Sequence, residues 1–402
     1  MSLLDLLDRR ECWEAFFTYK SSLCLPKAFT KELRGFIDRE AYLPAVSSIL
    51  SSEPFPLPKR SVISKQYSQK KRVVYTYPPA ENYVLKLLTY LCLRRYDHLF
   101  DLGLYSFRPG ISAKDAIYRL SHTKGIWSKY AYKADIHNYF NSIPIEKLLP
   151  ILREALSDDP RLYAFFESLL SEKRVIENGT AVEDVKGIMA GTPPSAFFAN
   201  LYLKDLDHHF NEVGIPYARY SDDILVLADS LEELAEHIQY IHAFLKQCGL
   251  EINPDKEAIT SPDEGWVFLG FYACRGRIDI APANVQKLKD KMRRKTRALA
   301  RWQKRNDLEG EKAAKAFIRI FNRKLLETSG DNELSWAYWF FPSITTADSL
   351  KVIDRYAQDQ IRYLLQGTRG KARFRASYST MKDLGYRSLV HAYYEFKEGK
   401  AF

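Results

Sequence analysis

The strongest constraint on this chain is an acidic pair between two short apolar segments. Asp222 and Asp223 follow the aromatic segment 217–220 and precede the apolar segment 224–228. Two such segments around a tight polar turn predict a β-hairpin, and aspartate is well tolerated in turns. We therefore expect both carboxylates at the tip of a hairpin. Because adjacent like charges repel each other, the pair indicates either a cation site or two solvated turn residues.

A second source of carboxylate favours the cation site. Asp135 ends the strand-like segment 130–134, and Tyr139 and Phe140 follow shortly after it. Polymerases hold two divalent ions, about 3.5–4 Å apart, between a carboxylate on one strand and a pair on a neighbouring hairpin. Mg²⁺ suits this role because it prefers oxygen ligands and shares substrate phosphates. The expected cofactor is therefore a pair of Mg²⁺ ions, with Mn²⁺ as an alternative.

The order of these segments resembles the reverse transcriptases of bacterial group II introns and retrons, and most of all the stand-alone defence-associated or abortive-infection enzymes. The segments similar to motifs A, B, C, D and E of that family are residues 135–140, 187–203, 220–223, 249–256 and 268–271. The resemblance covers residues 60–275 or so, and three motifs in the right order are far more specific than any single one.

The resemblance implies an α+β fold of the right-hand polymerase type, with fingers, a ferredoxin-like antiparallel palm and a helical thumb. The implied segments are an N-terminal helical extension (1–59), fingers (60–114), the palm with motif A (115–145), a helical insertion (146–186), the palm with motifs B to E (187–281), and the thumb with the C-terminal region (282–402). Apolar residues at helical spacing before residue 50 and after residue 282 agree with the helical ends of this scheme.

The same resemblance assigns catalytic roles. Asp135, Asp222 and the backbone carbonyl of Ile136 would ligate the metal ions, with Asp223 in a more supporting position. Lys256 in motif D would donate a proton to the leaving pyrophosphate. A lysine exposed at the end of a strand is the alternative interpretation of Lys256.

Four residues are implied to contact the incoming nucleotide. Phe140, five residues after Asp135, matches the steric gate that would exclude a ribose 2′-hydroxyl, although core packing also explains an aromatic residue there. Lys65 and Arg72 lie in a predicted basic hairpin that would cover the triphosphate, and arginine suits phosphate because its planar fork makes bidentate contacts. A solvated basic turn is the alternative for both.

Gly191 belongs to the motif B turn, where this chain departs from its relatives. Met189-Ala190-Gly191 stands where relatives usually have Pro-Gln-Gly. The missing amide weakens any inference about contacts to the nascent base pair. It is compatible with the unusual DNA products that some defence-associated relatives make.

Basic residues that could bind nucleic acid fall in three places. Arg108, in the phrase Phe107-Arg108-Pro109-Gly110, would either touch the template backbone or brace the palm. The segment Lys287–Arg305 has ten lysines or arginines and one acidic residue. It lies on a predicted helix with one apolar face, formed by Val285, Leu288, Met292, Leu299 and Trp302. Its candidate contacts to a duplex backbone are Arg293, Arg294, Arg297 and Arg301. A basic-aromatic loop, residues 369–375, contributes Arg373, Phe374 and Arg375 as candidate RNA contacts.

Composition agrees with a nucleic-acid partner. The chain has 60 lysines and arginines against 50 acidic residues, a net charge of +10, and a basic surface favours polyanions. The five cysteines are scattered without a CxxC pair, which indicates neither a zinc site nor a disulfide frame and fits a reducing cytoplasm. No apolar run is long enough to predict a membrane span.

The resulting prediction is an RNA-directed DNA polymerase that uses dNTPs to copy a dedicated, structured non-coding RNA into a DNA product in anti-phage defence. One alternative is template-independent or protein-primed DNA synthesis at the same site. A second alternative, a non-catalytic maturase-like RNA-binding module, would not need the three aspartates. A homo-oligomer or an accessory protein is left open by the sequence.

Overall fold

The chain folds into two compact units. We describe them from a computed structural model, which covers residues 1–23, 25–64, 71–184, 187–327 and 336–400. The first unit comprises Met1–Leu23 and Phe29–Pro262, and the second comprises Cys24–Ala28 and Asp263–Phe402. Among the described residues, no helix has the length and apolar character needed to cross a membrane.

The first unit mixes helices with two four-stranded sheets. Its helices are α1 (Arg10–Ser22), α2 (Lys27–Asp38), α3 (Leu43–Leu50), α4 (Pro79–Arg95), α5 (Ala113–His122), α6 (Tyr139–Ser142), α7 (Ile145–Ala155), α8 (Pro160–Ser171), α9 (Ser195–Tyr202), α10 (Lys204–Val213) and α11 (Leu231–Gln247). Its strands are β1 (Lys59–Ser64), β2 (Lys71–Thr76), β3 (Tyr130–Asp135), β4 (Arg174–Glu177), β5 (Thr180–Glu183), β6 (Tyr217–Tyr220), β7 (Asp223–Ala228) and β8 (Ala258–Thr260).

The acidic residues lie on an antiparallel sheet with the strand order β6-β7-β3-β8. Residues 224–228 of β7 are all fully buried, as expected for a short continuous apolar run. Helix α11 packs against β7 and β3. It begins after Ser230, whose hydroxyl accepts a hydrogen bond from the Glu233 N–H and so caps the helix. The expected antiparallel palm sheet is therefore observed.

The second sheet of this unit has the order β2-β1-β4-β5. Strands β1 and β2 form an antiparallel hairpin, and β4 joins β1 in parallel. Strands β4 and β5 form a second hairpin around Asn178-Gly179, and both turn residues have positive φ, as type I′ turns require. Arg60 on β1 pairs with Glu177 and Asp184, which ties the two hairpins together.

The second unit is a small sheet followed by helices. Its strands are β9 (Trp266–Phe268), β10 (Phe271–Cys274) and β11 (Arg277–Ile280), and its helices are α12 (Pro282–Arg305), α13 (Gly310–Leu325), α14 (Trp336–Phe340), α15 (Asp348–Gln366), α16 (Tyr378–Asp383) and α17 (Leu389–Lys397). The predicted loop 369–375 contains a 3₁₀ turn over Lys371–Arg375.

Helix α12 is amphipathic, with one difference from the predicted apolar face. Val285, Met292 and Leu299 are buried as expected. Trp302 is 42% exposed, and Thr296 is buried instead. The Thr296 hydroxyl donates to the Met292 carbonyl, so its burial leaves no unpaired donor. A pattern of apolar residues does not identify a buried threonine of this kind, because its hydroxyl is satisfied by a backbone carbonyl of the same helix.

Candidate active site

The hairpin that carries the acidic pair has a two-residue turn. Strands β6 and β7 pair up to Tyr220 and Asp223, so Ser221 and Asp222 form the turn. Asp222 is therefore at the tip, as predicted, whereas Asp223 is the first residue of β7. Ser221 has φ +61°, a left-handed conformation that is uncommon for a residue with a side chain.

The fold brings Asp135 to the same edge of the sheet. Strand β3 lies beside β7, and Asp135 is directly opposite Asp223 in the antiparallel register. One residue further on, the Ile136 N–H donates to the Asp222 carbonyl over 3.0 Å. The three aspartates that the sequence singled out are thus gathered on neighbouring strands.

These carboxylates are held in an unfavourable environment for negative charge. The Asp135 residue is only 8% exposed. Burial raises the pKa of Asp222, and the charges of Asp135 and Asp223 raise it further. Burial also raises the pKa of Asp223, with the Asp135 charge adding to the effect and the Lys133 ammonium opposing it. Repulsion of this kind is relieved when a cation binds between the carboxylates.

Two lysines already contact the acidic residues. The Lys256 Nζ atom lies 2.5 Å from Asp135 Oδ2, and the Lys133 Nζ atom lies 3.4 Å from Asp223 Oδ1. Lys256 is placed by a short 3₁₀ turn, Pro254–Lys256, before β8. Lys133 was not predicted, although a lone lysine within the mostly apolar β3 is the signal that could have identified it.

The donor atoms at this edge fit a divalent ion that prefers oxygen. They are the carboxylates of Asp135, Asp222 and Asp223 and the backbone carbonyl of Ile136, and no donor from the described residues reaches that carbonyl. Mg²⁺ usually takes one or two carboxylates together with substrate phosphates. Within the described ranges, no three His, Cys, Asp or Glu side chains are placed to hold a metal ion by themselves, so the backbone carbonyl and substrate phosphates would have to complete the ligand set.

The motif B turn is fastened to β2 and to motif A. Gly191 has φ +101°, and a Cβ atom there would lie 3.0 Å from the Tyr75 carbonyl, so glycine is required. The Ala190 carbonyl accepts a hydrogen bond from the Tyr75 N–H over 2.8 Å. Asn141, next to Phe140, accepts from the Ala190 N–H through Oδ1 and donates to the Val73 carbonyl through Nδ2.

Asn141 is a positioning residue that the sequence did not reveal. Its role depends on contacts to segments about fifty and seventy residues away. A polar residue after an aromatic pair carries no local signal of such a role.

The predicted nucleotide contacts lie in the same unit. Phe140 is partly buried, and its ring packs edge-to-face against Phe107 with centroids 6.5 Å apart. Arg72 is exposed on β2, the strand to which the motif B turn is hydrogen-bonded. Lys65 lies outside the described residues. The gate and triphosphate roles of these residues remain predictions.

The structure favours one of the two roles considered for Arg108. Its guanidinium binds both Asp97 carboxylate oxygens, Nε over 2.8 Å and Nη2 over 3.0 Å, and donates to the Asp101 carbonyl. The side chain is nearly buried. This geometry is that of a brace, because the planar fork is already occupied by protein acceptors.

The other nucleic-acid candidates lie on the second unit. The four candidate arginines of α12, Arg293, Arg294, Arg297 and Arg301, are all exposed. Phe374 is 56% exposed, with the Arg373 guanidinium 4.3 Å and the Arg362 guanidinium 5.2 Å from its ring centroid. Arg373 also donates to the Arg369 carbonyl, which holds the guanidinium against the ring. Arg375 is exposed beside them.

An antiparallel palm with carboxylates on two adjoining strands defines the class of right-hand nucleic-acid polymerases. Residues 57–273, more than half of the chain, match the family described as reverse transcriptase (RNA-dependent DNA polymerase). The chain belongs to the reverse transcriptase family. The resemblance and the fold class predicted from the sequence are therefore confirmed. Divalent metal ions are general cofactors of this family.

Several known proteins are similar to this chain. The retron Ec86 reverse transcriptase of Escherichia coli is 22% identical over 228 residues, 56% of this chain and 65% of the relative. An uncharacterized 91 kDa protein in the cob intron of Schizosaccharomyces pombe is 30% identical over 159 residues, 39% of this chain and 19% of the relative. The putative COX1/OXI3 intron 2 protein of Saccharomyces cerevisiae is 22% identical over 290 residues, 58% of this chain and 34% of the relative.

The similarity to solved structures concerns the fold. The apo telomerase of Candida tropicalis superimposes with a TM-score of 0.50 at 12% identity, over 82% of this chain and 60% of that chain. The chain covers less than two thirds of the length of each of the relatives named above.

Proposed function

We propose that this chain is an RNA-directed DNA polymerase that copies a dedicated structured RNA into DNA. The observation that carries the proposal is the register of the palm sheet, where Asp135 is opposite Asp223 and next to the turn of Asp222. Three carboxylates on one partly buried edge repel one another, which opposes folding, and Lys256 and Lys133 pair with only two of them. A bound cation would relieve the repulsion that remains.

Each residue of the site has a role in this reaction. Asp135, Asp222 and the Ile136 carbonyl would hold Mg²⁺, with Asp223 supporting them. When bound, the ions activate the primer hydroxyl and offset the charge of the phosphates. Lys256 carries a proton that the leaving pyrophosphate can take. Phe140 excludes a ribose 2′-hydroxyl, and Arg72 binds the triphosphate of the nucleotide.

The test is primer extension by the purified protein with Mg²⁺ and dNTPs. The substrates are a primed RNA, the same primed sequence as DNA, and reactions without template or without primer. Extension on primed RNA that requires Mg²⁺ and disappears in Asp135→Asn supports the proposal. An Asp135→Asn protein that extends at the parent rate would place the chemistry elsewhere.

The same reactions separate the alternatives. Template-independent synthesis would give products without template, and protein priming would leave labelled nucleotide covalently attached to the chain. A folded protein that binds RNA but incorporates no nucleotide under any of these conditions would point to the maturase-like module. Replacing Mg²⁺ by Mn²⁺ in each reaction tests the choice of ion.

We further propose that the second unit holds the RNA. Four exposed arginines on one helix supply phosphate contacts, which give affinity without sequence information. The Phe374 ring is exposed and has two guanidiniums close to it, so the ring or a guanidinium plane offers a surface on which an unpaired base can stack. Together these features suit a structured RNA with unpaired bases better than a plain duplex.

A matched pair of variants tests this RNA surface. One variant replaces Arg293, Arg294, Arg297 and Arg301 of α12 by glutamine. The control replaces the same number of exposed cations on α13, namely Lys312, Lys315, Arg319 and Lys324. Removal of each cation that touches a phosphate should lower the slope of log affinity against log salt by roughly one. The α12 variant alone should show weaker binding and a smaller salt dependence, and equal effects in both variants would contradict the proposal.

The defence role is tested in the native host. RNA and DNA that co-purify with the chain are sequenced, and phage plating is compared between the parent and Asp135→Asn. One recurrent RNA, a DNA copy of part of it, and plating that rises when the aspartate is replaced would support the role. Recovery of random cellular RNA, together with unchanged phage plating, would contradict the defence role.

A further inference from the structure

The turn that carries Asp222 is buried on its backbone side. Ser221 is 7% exposed and has φ +61°. Its N–H and C=O groups therefore need protein partners, because an unpaired buried donor or acceptor is costly. The left-handed conformation of Ser221 adds strain that the surrounding residues must hold.

Ser106 supplies the partner for the N–H group. Its hydroxyl is fully buried and accepts from the Ser221 N–H over 2.9 Å. The same hydroxyl donates to Asn200 Oδ1 over 3.0 Å, and Asn200 Nδ2 donates back to the Ser106 carbonyl over 2.8 Å. Asn200 is a fully buried residue of α9, the helix that follows the motif B turn.

The backbone before Ser106 explains how its hydroxyl is aimed. The segment runs beside β6, with the Arg219 N–H donating to the Gly103 carbonyl over 2.8 Å and the Tyr105 N–H donating to the Arg219 carbonyl over 3.0 Å. These bonds align the next residue, Ser106, with the turn that follows β6. The hydroxyl therefore reaches the turn from a fixed backbone rather than from a flexible loop.

Arg219 holds the opposite side of the same turn. Its Nη1 donates to the Ser221 carbonyl over 3.3 Å, and its Nη2 donates to the Asn200 carbonyl over 3.2 Å. The guanidinium is completely buried and paired with Asp207, whose Oδ1 accepts from Nε over 2.7 Å. Both of these hydrogen bonds of Ser221 thus lead to Asn200, one through Ser106 and one through Arg219.

We propose that Ser106 is a positioning residue for the metal site: it fixes the turn of Asp222 and, through Asn200, couples that turn to the motif B helix. The proposal rests on the proposed function for its meaning, since Asp222 is the side chain being positioned. The tip of a hairpin is usually the most mobile part of a sheet. In this hairpin, repulsion among the three carboxylates also favours displacement of the turn that carries Asp222. A small displacement of a metal ligand is sufficient to lower affinity.

The test compares Ser106→Ala with Thr89→Ala. Thr89 is also a buried residue with one hydrogen-bonding hydroxyl, which donates to the Leu85 carbonyl within α4. Mn²⁺ binding is measured by electron paramagnetic resonance without nucleotide or template. Ser106→Ala should bind Mn²⁺ about tenfold more weakly, the loss expected for one buried hydrogen bond. In primer extension, the Mg²⁺ concentration for half-maximal rate should rise by a similar factor. Thr89→Ala should change neither value.

Amide hydrogen exchange provides a second readout, which does not depend on metal binding. In the wild-type protein the Ser221 amide should exchange at least about a hundredfold more slowly than the amides of the exposed two-residue turn Arg275-Gly276. Ser106→Ala should remove most of that difference. Fast exchange at Ser221 in the wild type, or unchanged Mn²⁺ affinity in a folded Ser106→Ala protein, would overturn the proposal. A wild-type protein that binds Mn²⁺ but polymerises nothing would contradict the proposed function and leave these two measurements valid.

Discussion

Replacing Asp222 by asparagine should make the metal-free protein more stable while removing its activity. The substitution keeps the shape of the side chain and deletes one of three neighbouring negative charges. Two like charges repel by about 4 kcal/mol at a separation of about 4 Å and an effective dielectric constant of about 20, and by less at larger separations. Lys256 and Lys133, which contact Asp135 and Asp223, offset much of this repulsion. We therefore expect a net gain of ~1 kcal/mol in the free energy of unfolding.

The gain should depend on pH with a definite sign. The pKa of Asp222 in the folded protein is raised, chiefly by burial and then by Asp135 and Asp223. The folded wild type therefore binds a proton more readily than the unfolded chain, and its stability increases as pH falls through the folded pKa towards the ordinary value. The advantage of Asp222→Asn should be full above the folded pKa and should vanish near pH 4 or so.

Thermal unfolding with EDTA, and then with rising Mg²⁺, measures both effects. The variant should melt about 2–4 °C above the wild type in EDTA. Mg²⁺ should raise the melting temperature of the wild type, because a ligand that binds the folded state stabilises it. The melting temperature of Asp222→Asn should stay unchanged, because this variant lacks one of the metal ligands. The matched control is Asp229→Asn, at an exposed aspartate that pairs with Lys129 beyond the other end of β7. This variant should not melt above the wild type in EDTA, and it should keep the stabilisation by Mg²⁺. A metal-free Asp222→Asn less stable than its parent, or one still stabilised by Mg²⁺, would refute the reasoning.

Three further substitutions test other parts of the site. Phe140→Val should raise incorporation of ribonucleotides relative to deoxynucleotides by roughly tenfold or more in single-nucleotide extension, and an unchanged ratio would remove the gate assignment. Lys256→Met should lower the Mg²⁺ requirement about fivefold by freeing Asp135, yet reduce the maximal rate by about 10², and a parent-like rate would exclude the proton-donor role. Asn141→Ala should loosen the motif B turn and raise the KM for dNTPs with the Mg²⁺ requirement unchanged, and a shifted Mg²⁺ requirement would contradict this role.

The sequence was informative where local patterns and a known motif order agreed. The β6–β7 hairpin, the neighbouring strand of Asp135 and the capped helix after Ser230 all have short-range signals in turn chemistry, apolar runs and capping. Asp223 shows the limit of such signals. Placing it within β7 rather than in the turn depends on the strand register, and residues at the edge of a run are ambiguous by one position.

Residues that act across the fold could not be predicted in the same way. Asn141 reaches both Val73 and the Ala190 N–H, and Ser106 reaches both Ser221 and Asn200. Such pairings follow from the packing of distant segments, and one sequence contains no record of them. Arg108 illustrates the converse problem, because its motif left two roles open and only the position of Asp97 favours the brace.

Charge and shape are supplied to this site by different residues, and the separation can be measured. Lys256 reduces the repulsion among the aspartates but sits on a flexible stem, so it does little to fix geometry. Ser106 fixes the turn through buried neutral hydrogen bonds and does not alter the charge. The Lys256 ammonium binds Asp135 and the Ser106 hydroxyl binds Ser221 and Asn200, so the two side chains have different partners and their effects on Mg²⁺ affinity should be additive. With about fivefold tighter binding in Lys256→Met and about tenfold weaker binding in Ser106→Ala, the double variant should bind Mg²⁺ about twofold more weakly than the parent. A departure from that value by much more than about twofold would show that the lysine also positions the turn, and the separation of roles would be wrong.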